Sequence, residues 1–261
     1  MQVSISQISL FKSCRRAYEL RYIEGLVPIQ KADALETGAR FHKLIEMLNN
    51  GEPLNEYSND NSKELAMAIA YQKYIMPILK VSKAEEWFDY KLDAEDSLIG
   101  RVDGIADNGY LVEYKTTSSE ITEEYEYNLL WNEQILAYML AKDVNIMYYV
   151  VCRKPTIRQK KNETDEEFFQ RMIDWYDEDT DSKIRLLYIE RTNEEIQQFE
   201  TDIKAIVKEM KNTHLFYKCT SRCNMWGRRC EYSSVCLNYN PDMDYIEFER
   251  KERRADGVKE N

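Results

Sequence analysis

Midway along this chain the hydrophobic period changes from that of a helix to that of a strand, and that change most constrains the fold. Residues 87–92, 98–105 and 110–115 alternate as three strands, and Asp107-Asn108-Gly109 supplies a tight turn between the last two. The resulting hairpin places Asp103 on the strand before the turn and Glu113 with Lys115 on the strand after it. Two residues apart on a strand, Glu113 and Lys115 point to one face of the sheet. Val102, Ile105, Leu111 and Val112 around them predict burial. Buried charges without partners are costly, so such a group either holds a metal ion or closes on itself as an ion-pair network in which Lys115 neutralises Asp103 and Glu113.

The metal reading has a definite chemistry. Asp103 and Glu113 offer hard oxygen ligands suited to Mg²⁺ or Mn²⁺. A bound divalent ion lowers the pKa of a coordinated water and offsets charge on a phosphate under attack. Lys115 is placed to hold or polarise that water. His42 lies on a helix with Glu46 one turn on, and a nitrogen ligand from it would suit Mn²⁺ better than Mg²⁺; the competing reading is a packed or surface histidine. Gly38, four residues before His42, suggests a close approach to that helix.

Around this centre the pattern predicts helices over residues 4–22, 34–49, 62–75, 123–141 and 193–211, and further strands over 145–151 and 184–189. The first helix holds Cys14, and the 123–141 helix carries Gln134 and Tyr138 on one face. Residues 153–181 turn polar and charged and read as a partly helical excursion. Residues 250–261 read as a frayed, charged end.

Six cysteines are distributed unevenly: Cys14 near the start, Cys152 in an apolar strand, and Cys219, Cys223, Cys230 and Cys236 near the end. No stretch reaches the ~18 apolar residues of a membrane span, and the N-terminus has no leader pattern, so the expected location is cytoplasmic. Cysteines stay reduced there, which favours a metal or iron–sulfur site over disulfides. The spacing Cys223-x(6)-Cys230-x(5)-Cys236 with a distant Cys14 is not that of a zinc finger, and a four-thiolate [4Fe–4S] cluster fits better. Cys219 could replace one of the four. Cys152 reads as a small buried hydrophobe. The net charge of −11 is the wrong sign for a surface that adheres to nucleic acid throughout, so local contacts must come from Arg15, Arg16 and Arg21, or from Arg222, Arg228 and Arg229.

Ser9-Leu10-Phe11-Lys12-Ser13-Cys14-Arg15-Arg16, Gly38-x-x-x-His42, Gly100-Arg101-Val102-Asp103, Glu113-Tyr114-Lys115, Gln134-x-x-x-Tyr138 and the late cysteines stand in the order found in PD-(D/E)XK nucleases of the RecB type. The chain resembles the iron–sulfur branch, with the AddB nuclease domain and the CRISPR-associated adaptation exonuclease. The long 153–181 segment looks more like the stand-alone exonucleases of phage genomes. The resemblance implies an α/β restriction-endonuclease-like fold: a mixed central sheet flanked by helices, with an iron–sulfur cluster joining the N- and C-terminal segments. It implies one nuclease domain over 1–240, divided into an N-terminal helical region (1–82), a catalytic core (83–152), the excursion (153–182) and a helix with cysteine cap (183–240), followed by a tail (241–261).

By the same resemblance His42, Asp103 and Glu113 bind metal, Lys115 handles water, Gln134 and Tyr138 position DNA, and Cys14, Cys223, Cys230 and Cys236 hold the cluster. The activity implied is a metal-dependent DNA exonuclease acting on single-stranded ends. Trimming of spacer precursors in CRISPR adaptation is one alternative, and an iron–sulfur DNA-binding factor that cleaves poorly is another. Expected partners beyond DNA are a second copy of the chain or recombination or CRISPR adaptation proteins, with no membrane.

Overall fold

The computed structural model describes residues 1–29, 33–54, 62–225, 227–240 and 245–251. In chain order the elements are β1 (Gln2–Val3), α1 (Ile5–Ser13), α2 (Arg15–Tyr18), β2 (Leu26–Pro28), α3 (Asp33–Asn49), α4 (Lys63–Tyr74), β3 (Val81–Lys91), β4 (Ser97–Ala106), β5 (Leu111–Thr117), α5 (Glu123–Asn128), α6 (Glu133–Lys142), β6 (Ile146–Arg153), α7 (Asp165–Glu178), β7 (Ile184–Glu190), α8 (Asn193–Asn212), β8 (Asn224–Met225), β9 (Arg228–Arg229), α9 (Ser233–Leu237) and β10 (Phe248–Arg250). Two compact units emerge, one of residues 1–32, 89–100 and 198–261, the other of 33–88 and 101–197.

The second unit is a mixed sheet with helices packed on it. Its strands follow one another as β3–β4–β5–β6–β7. β4 and β5 are antiparallel, β5 and β6 parallel, β6 and β7 antiparallel. The parallel step needs a crossover, and residues 118–145, including α5 and α6, provide it. Phe41, Leu44, Ile45 and Leu48 of α3 bury against Met67 and Tyr71 of α4, Val112 and Tyr114 of β5, Val150 of β6 and Tyr176 of α7. The amphipathic spacing of α3 produces this packing.

The turn between β4 and β5 forms where its sequence demands. Gly109 takes φ +85°, and Ala106 and Tyr110 close the hairpin, with the Ala106 N–H donating to the Tyr110 carbonyl at 2.8 Å. Two helices break earlier than periodicity predicts. The 4–22 helix stops at Cys14, whose backbone is extended at φ −162°, and restarts as α2 and a π-helical turn over Glu19–Ile23. The 123–141 helix is interrupted at Asn132, which is extended and caps α6 by accepting the Gln134 N–H at 3.0 Å. Capping by a short polar side chain competes with helix continuation, a preference that apolar spacing does not register. β3 starts at Val81, six residues before the expected strand, because its first half is polar on both sides.

The first unit joins the two ends of the chain. β2 pairs antiparallel with β10 from Leu26↔Arg250 to Pro28↔Phe248, so the expected fraying does not extend to Arg250; residues 252–261 lie outside the described residues. The buried Tyr232 hydroxyl donates to the Leu26 carbonyl at 3.0 Å, and the Arg16 N–H donates to the Tyr217 carbonyl at 3.2 Å. Asp96, in the turn after β3, receives Lys211 of α8 at 3.1 Å and the Met1 ammonium at 2.9 Å. Burial opposes the Asp96 charge, yet these two cations hold its carboxyl below the ordinary carboxylate range. A depressed carboxyl contributes stability above its unfolded pKa of about 4 and loses it as pH falls through the lower folded value. Asp96→Asn should therefore lower the Tm by a few degrees at pH 7, and thermal melts should show the gap to wild type closing below pH ~3.

Candidate active site

The hairpin register brings Asp103 and Glu113 together. Gly104 pairs with Val112 and Ile105 with Leu111, which makes Asp103 and Glu113 the next pair along. There the ladder opens: the Tyr114 N–H is taken by Asp103 Oδ2 at 2.8 Å. Gly104 permits the close approach of β3, since a Cβ there would lie 3.0 Å from Val81 and 3.2 Å from the Lys83 carbonyl. At Gly38, by contrast, a Cβ would meet only the Thr116 hydroxyl at 3.9 Å, so the close approach expected there is not imposed by a described neighbour.

His42 reaches the hairpin from α3, with Nδ1 3.4 Å from Asp103 Oδ1. Its ring stands edge-on to Tyr114, 6.1 Å between centroids. Tyr114 is itself fixed by Asn49, which donates to its hydroxyl at 3.0 Å, and by the Tyr71 hydroxyl at 3.3 Å. Lys115 Nζ bonds Glu113 Oε1. Among the described residues the other oxygen, Oε2, has no hydrogen-bond partner, and it is buried on a residue only 2% exposed. A buried carboxylate oxygen left open is costly unless something else meets it.

The charges respond to this packing. Burial raises the Glu113 carboxyl, and the facing Asp103 raises it further, to about 7. Burial also works against Asp103, but His42, Lys115 and the Tyr114 N–H hold it below the usual range. Burial lowers His42 and Lys115, and the two carboxylates more than reverse this, so both are raised. Charges clustered and perturbed in this way are enriched at functional sites.

Gln134 and Tyr138 bond each other, Nε2 to Oη at 2.6 Å. The Tyr138 ring is buried against Phe88, 5.7 Å away edge-on, and the nearby Glu113 charge, after burial, raises its hydroxyl pKa. Glu46 and Glu85 line a pocket with His42 and Asp103, and spacing alone did not single out Glu85. Its signal is conformational: a non-glycine residue at φ +51° inside a strand.

Five of the six cysteines, all but Cys152, lie in the first unit. Cys14 Sγ accepts the Cys219 N–H at 3.4 Å, and the Cys223 carbonyl accepts the Cys230 N–H at 2.9 Å. Burial raises Cys230 and Cys236, with smaller contributions from Glu231 at the first and from Cys230 at the second, and least from Cys14 at both. The Cys219 thiol turns to Ser221 Oγ at 3.1 Å, which lowers its pKa. Cys152 lies apart in β6, fully buried, with its thiol pushed up to about 12 by burial. Among the described residues no three His, Cys, Asp or Glu side chains stand in metal-holding array, and no helix is long and apolar enough to cross a membrane. The arginines expected to meet nucleic acid near Cys14 are engaged internally: Arg15 with Glu209, Arg16 with Glu19 and with Glu24 at 3.2 Å, Arg21 with Glu231 at 3.9 Å. Arg228 and Arg229 are exposed.

Asp103 and the Glu113-x-Lys115 pair thus stand where the hairpin opens, beneath the α3 histidine. Residues 2–237 match the PD-(D/E)XK nuclease superfamily, and the chain belongs to it; the protein is a nuclease. It shares its fold with a putative exonuclease from Eubacterium rectale, at 12% identity over 90% of this chain and 92% of that one, TM-score 0.51. It is also similar to an alkaline exonuclease from Laribacter hongkongensis (15% identity, 80% and 88% covered, TM-score 0.37) and to a phage-related exonuclease from Haemophilus somnus 129PT (16%, 74% and 92%, 0.36). No curated protein matches the chain.

Proposed function

We propose that this nuclease is a divalent-metal-dependent DNA exonuclease that works on single-stranded ends. The observation that carries the reading is the open Oε2 of buried Glu113 beside Asp103, an oxygen pair that fits a hard cation. Asp103 and Glu113 would hold Mg²⁺ or Mn²⁺, with His42 as a further ligand. Such an ion supplies a water of lowered pKa and offsets phosphate charge. Lys115, fixed on Glu113, orients the attacking water and can shift a proton at Nζ. Asn49, Tyr71 and Tyr114 hold the wall against which His42 rests. Gln134 and Tyr138 act as a bonded pair that positions the strand.

The same reading assigns a [4Fe–4S] cluster to Cys14, Cys223, Cys230 and Cys236. Its support is the shared electrostatic neighbourhood of Cys14, Cys230 and Cys236, and an N–H aimed at Cys14 Sγ. The Cys219 thiol, turned to Ser221, is the spare. Trimming of CRISPR spacer precursors remains the second setting for the same chemistry, and genomic neighbours would separate it from phage recombination.

The test is an anaerobic preparation incubated with end-labelled single-stranded and duplex DNA, with Mn²⁺, Mg²⁺ or EDTA. Stepwise shortening of the single strand with either metal and none with EDTA is the expected result. Internal nicking of closed circles, or equal activity in EDTA, would reject the reading.

A further inference from the structure

Beside the catalytic hairpin, on edge strand β3, stands an aromatic–cation pair that the chemistry above does not use. Trp87 is 49% exposed, and the Arg101 guanidinium lies 5.5 Å from its ring centroid. Arg101 is two residues before Asp103 on β4, so both side chains leave the strand on the same face. The guanidinium also bonds Glu85 at 2.5 Å, and Glu85 lines the pocket that holds His42 and Asp103. A large apolar ring and a cation thus share the approach to the catalytic carboxylates.

The pair is built on a rigid base. Lys142 of α6 bonds Glu86 at 2.8 Å and the Trp87 carbonyl at 3.3 Å. Phe88, the next residue, is turned to the opposite side and packs on Tyr138. With its backbone pinned by Lys142 and its neighbour Phe88 packed on Tyr138, Trp87 presents its ring at little cost in conformational freedom. Glu85 adopts the left-handed φ of +51° within β3, and a strained non-glycine residue beside a site is a recurrent mark of function.

We infer that Trp87 and Arg101 form the platform for the terminal nucleotide of a single DNA strand, the indole stacking on its base and the guanidinium leaving Glu85 to take the adjoining phosphate. The occupant follows from chemistry. Every base offers a π face to an exposed indole, and a guanidinium binds phosphate in a fork. In a chain of net charge −11, a cation next to the reactive carboxylates is where a polyanion is admitted. An unpaired terminal nucleotide can swing its base onto the indole while its own phosphate meets the guanidinium, which a base held in a duplex cannot do, so the platform favours single-stranded ends over blunt duplex. The inference rests on the single-strand reading above, and its test does not require cleavage.

The experiment is titration of the full chain with oligothymidylate in EDTA, followed by anisotropy of the labelled strand and by tryptophan emission. Trp87→Ala should weaken binding about tenfold, or ~1.4 kcal/mol, within the range for loss of one stacked base. Trp87→Phe should bind within about threefold of wild type while losing most of the emission quench. Arg101→Ala should reduce the slope of log K against log salt by about 0.7, the value of one phosphate contact on a single strand. Blunt duplex should bind wild type and Trp87→Ala alike.

A full quench retained in Trp87→Phe, or unchanged single-strand affinity in folded Trp87→Ala, would overturn the platform. The conservative phenylalanine keeps the first readout available should alanine not fold. Quench and affinity loss at Trp87 in a protein that never shortens DNA would sustain the platform and reject the exonuclease.

Discussion

Asp103→Asn and Lys115→Ala are each expected to lower DNA cleavage by ~10²–10⁴-fold or more, while the protein still folds and binds DNA. Asparagine keeps the shape of Asp103 and an oxygen for the Tyr114 N–H, so the open end of the hairpin survives. What it loses is the charge that faces His42 and that a cation needs. Lys115→Ala leaves both oxygens of Glu113 without a partner, but that carboxyl already titrates near 7 through burial and can escape the cost by taking a proton. The readouts are gel-resolved turnover, circular dichroism, and anisotropy of a labelled strand. Wild-type turnover in either folded variant would remove the residue from the chemistry.

The second large effect concerns the cysteines. Four thiolates holding [4Fe–4S] predict brown anaerobic protein, absorption near about 400 nm and roughly four iron atoms per chain. Cys14→Ser and Cys236→Ser should lose iron and solubility together, because a bound metal centre couples directly to folding. The first unit has protein contacts of its own between its ends, the β2–β10 ladder and the Tyr232 bond to Leu26, so the variants should retain secondary structure while losing thermal stability. Cys219→Ser and Cys152→Ser should keep iron, since the first thiol is turned to Ser221 and the second is sealed in β6. Zinc in place of iron would overturn the cluster and leave the nuclease standing. Iron lost from Cys219→Ser and kept in Cys14→Ser would reassign the ligand.

Much of the site was legible because strand geometry is local. Alternation and an Asp-Asn-Gly turn suffice to put Asp103, Glu113 and Lys115 on one hairpin, and no distant contact is needed to know it. Element type was legible for the same reason from α3 to α8. Interruptions were not: Cys14 and Asn132 sit in stretches with good helical spacing, and each break depends on how the backbone is capped. Glu85 and Trp87 were missed because β3 carries polar residues on both sides, so its pattern is not that of a half-buried strand.

Burial and pairing belong to tertiary structure. An acidic chain with arginines near its cysteines looked locally basic, yet Glu209, Glu24 and Glu231, distant or on another element, occupy Arg15, Arg16 and Arg21. That the Tyr138 ring packs edge-on against Phe88 while its hydroxyl bonds Gln134 is likewise set by distant neighbours. The sequence by itself determined that Asp103, Glu113 and Lys115 share one hairpin, since that follows from covalent spacing and the two-residue period. Only the tertiary structure decided which charges remain open. The loneliness of Glu113 Oε2, the pull of His42 on Asp103 and the exposure of Trp87 are set by what packs against each side chain, and packing is fixed by the whole chain at once.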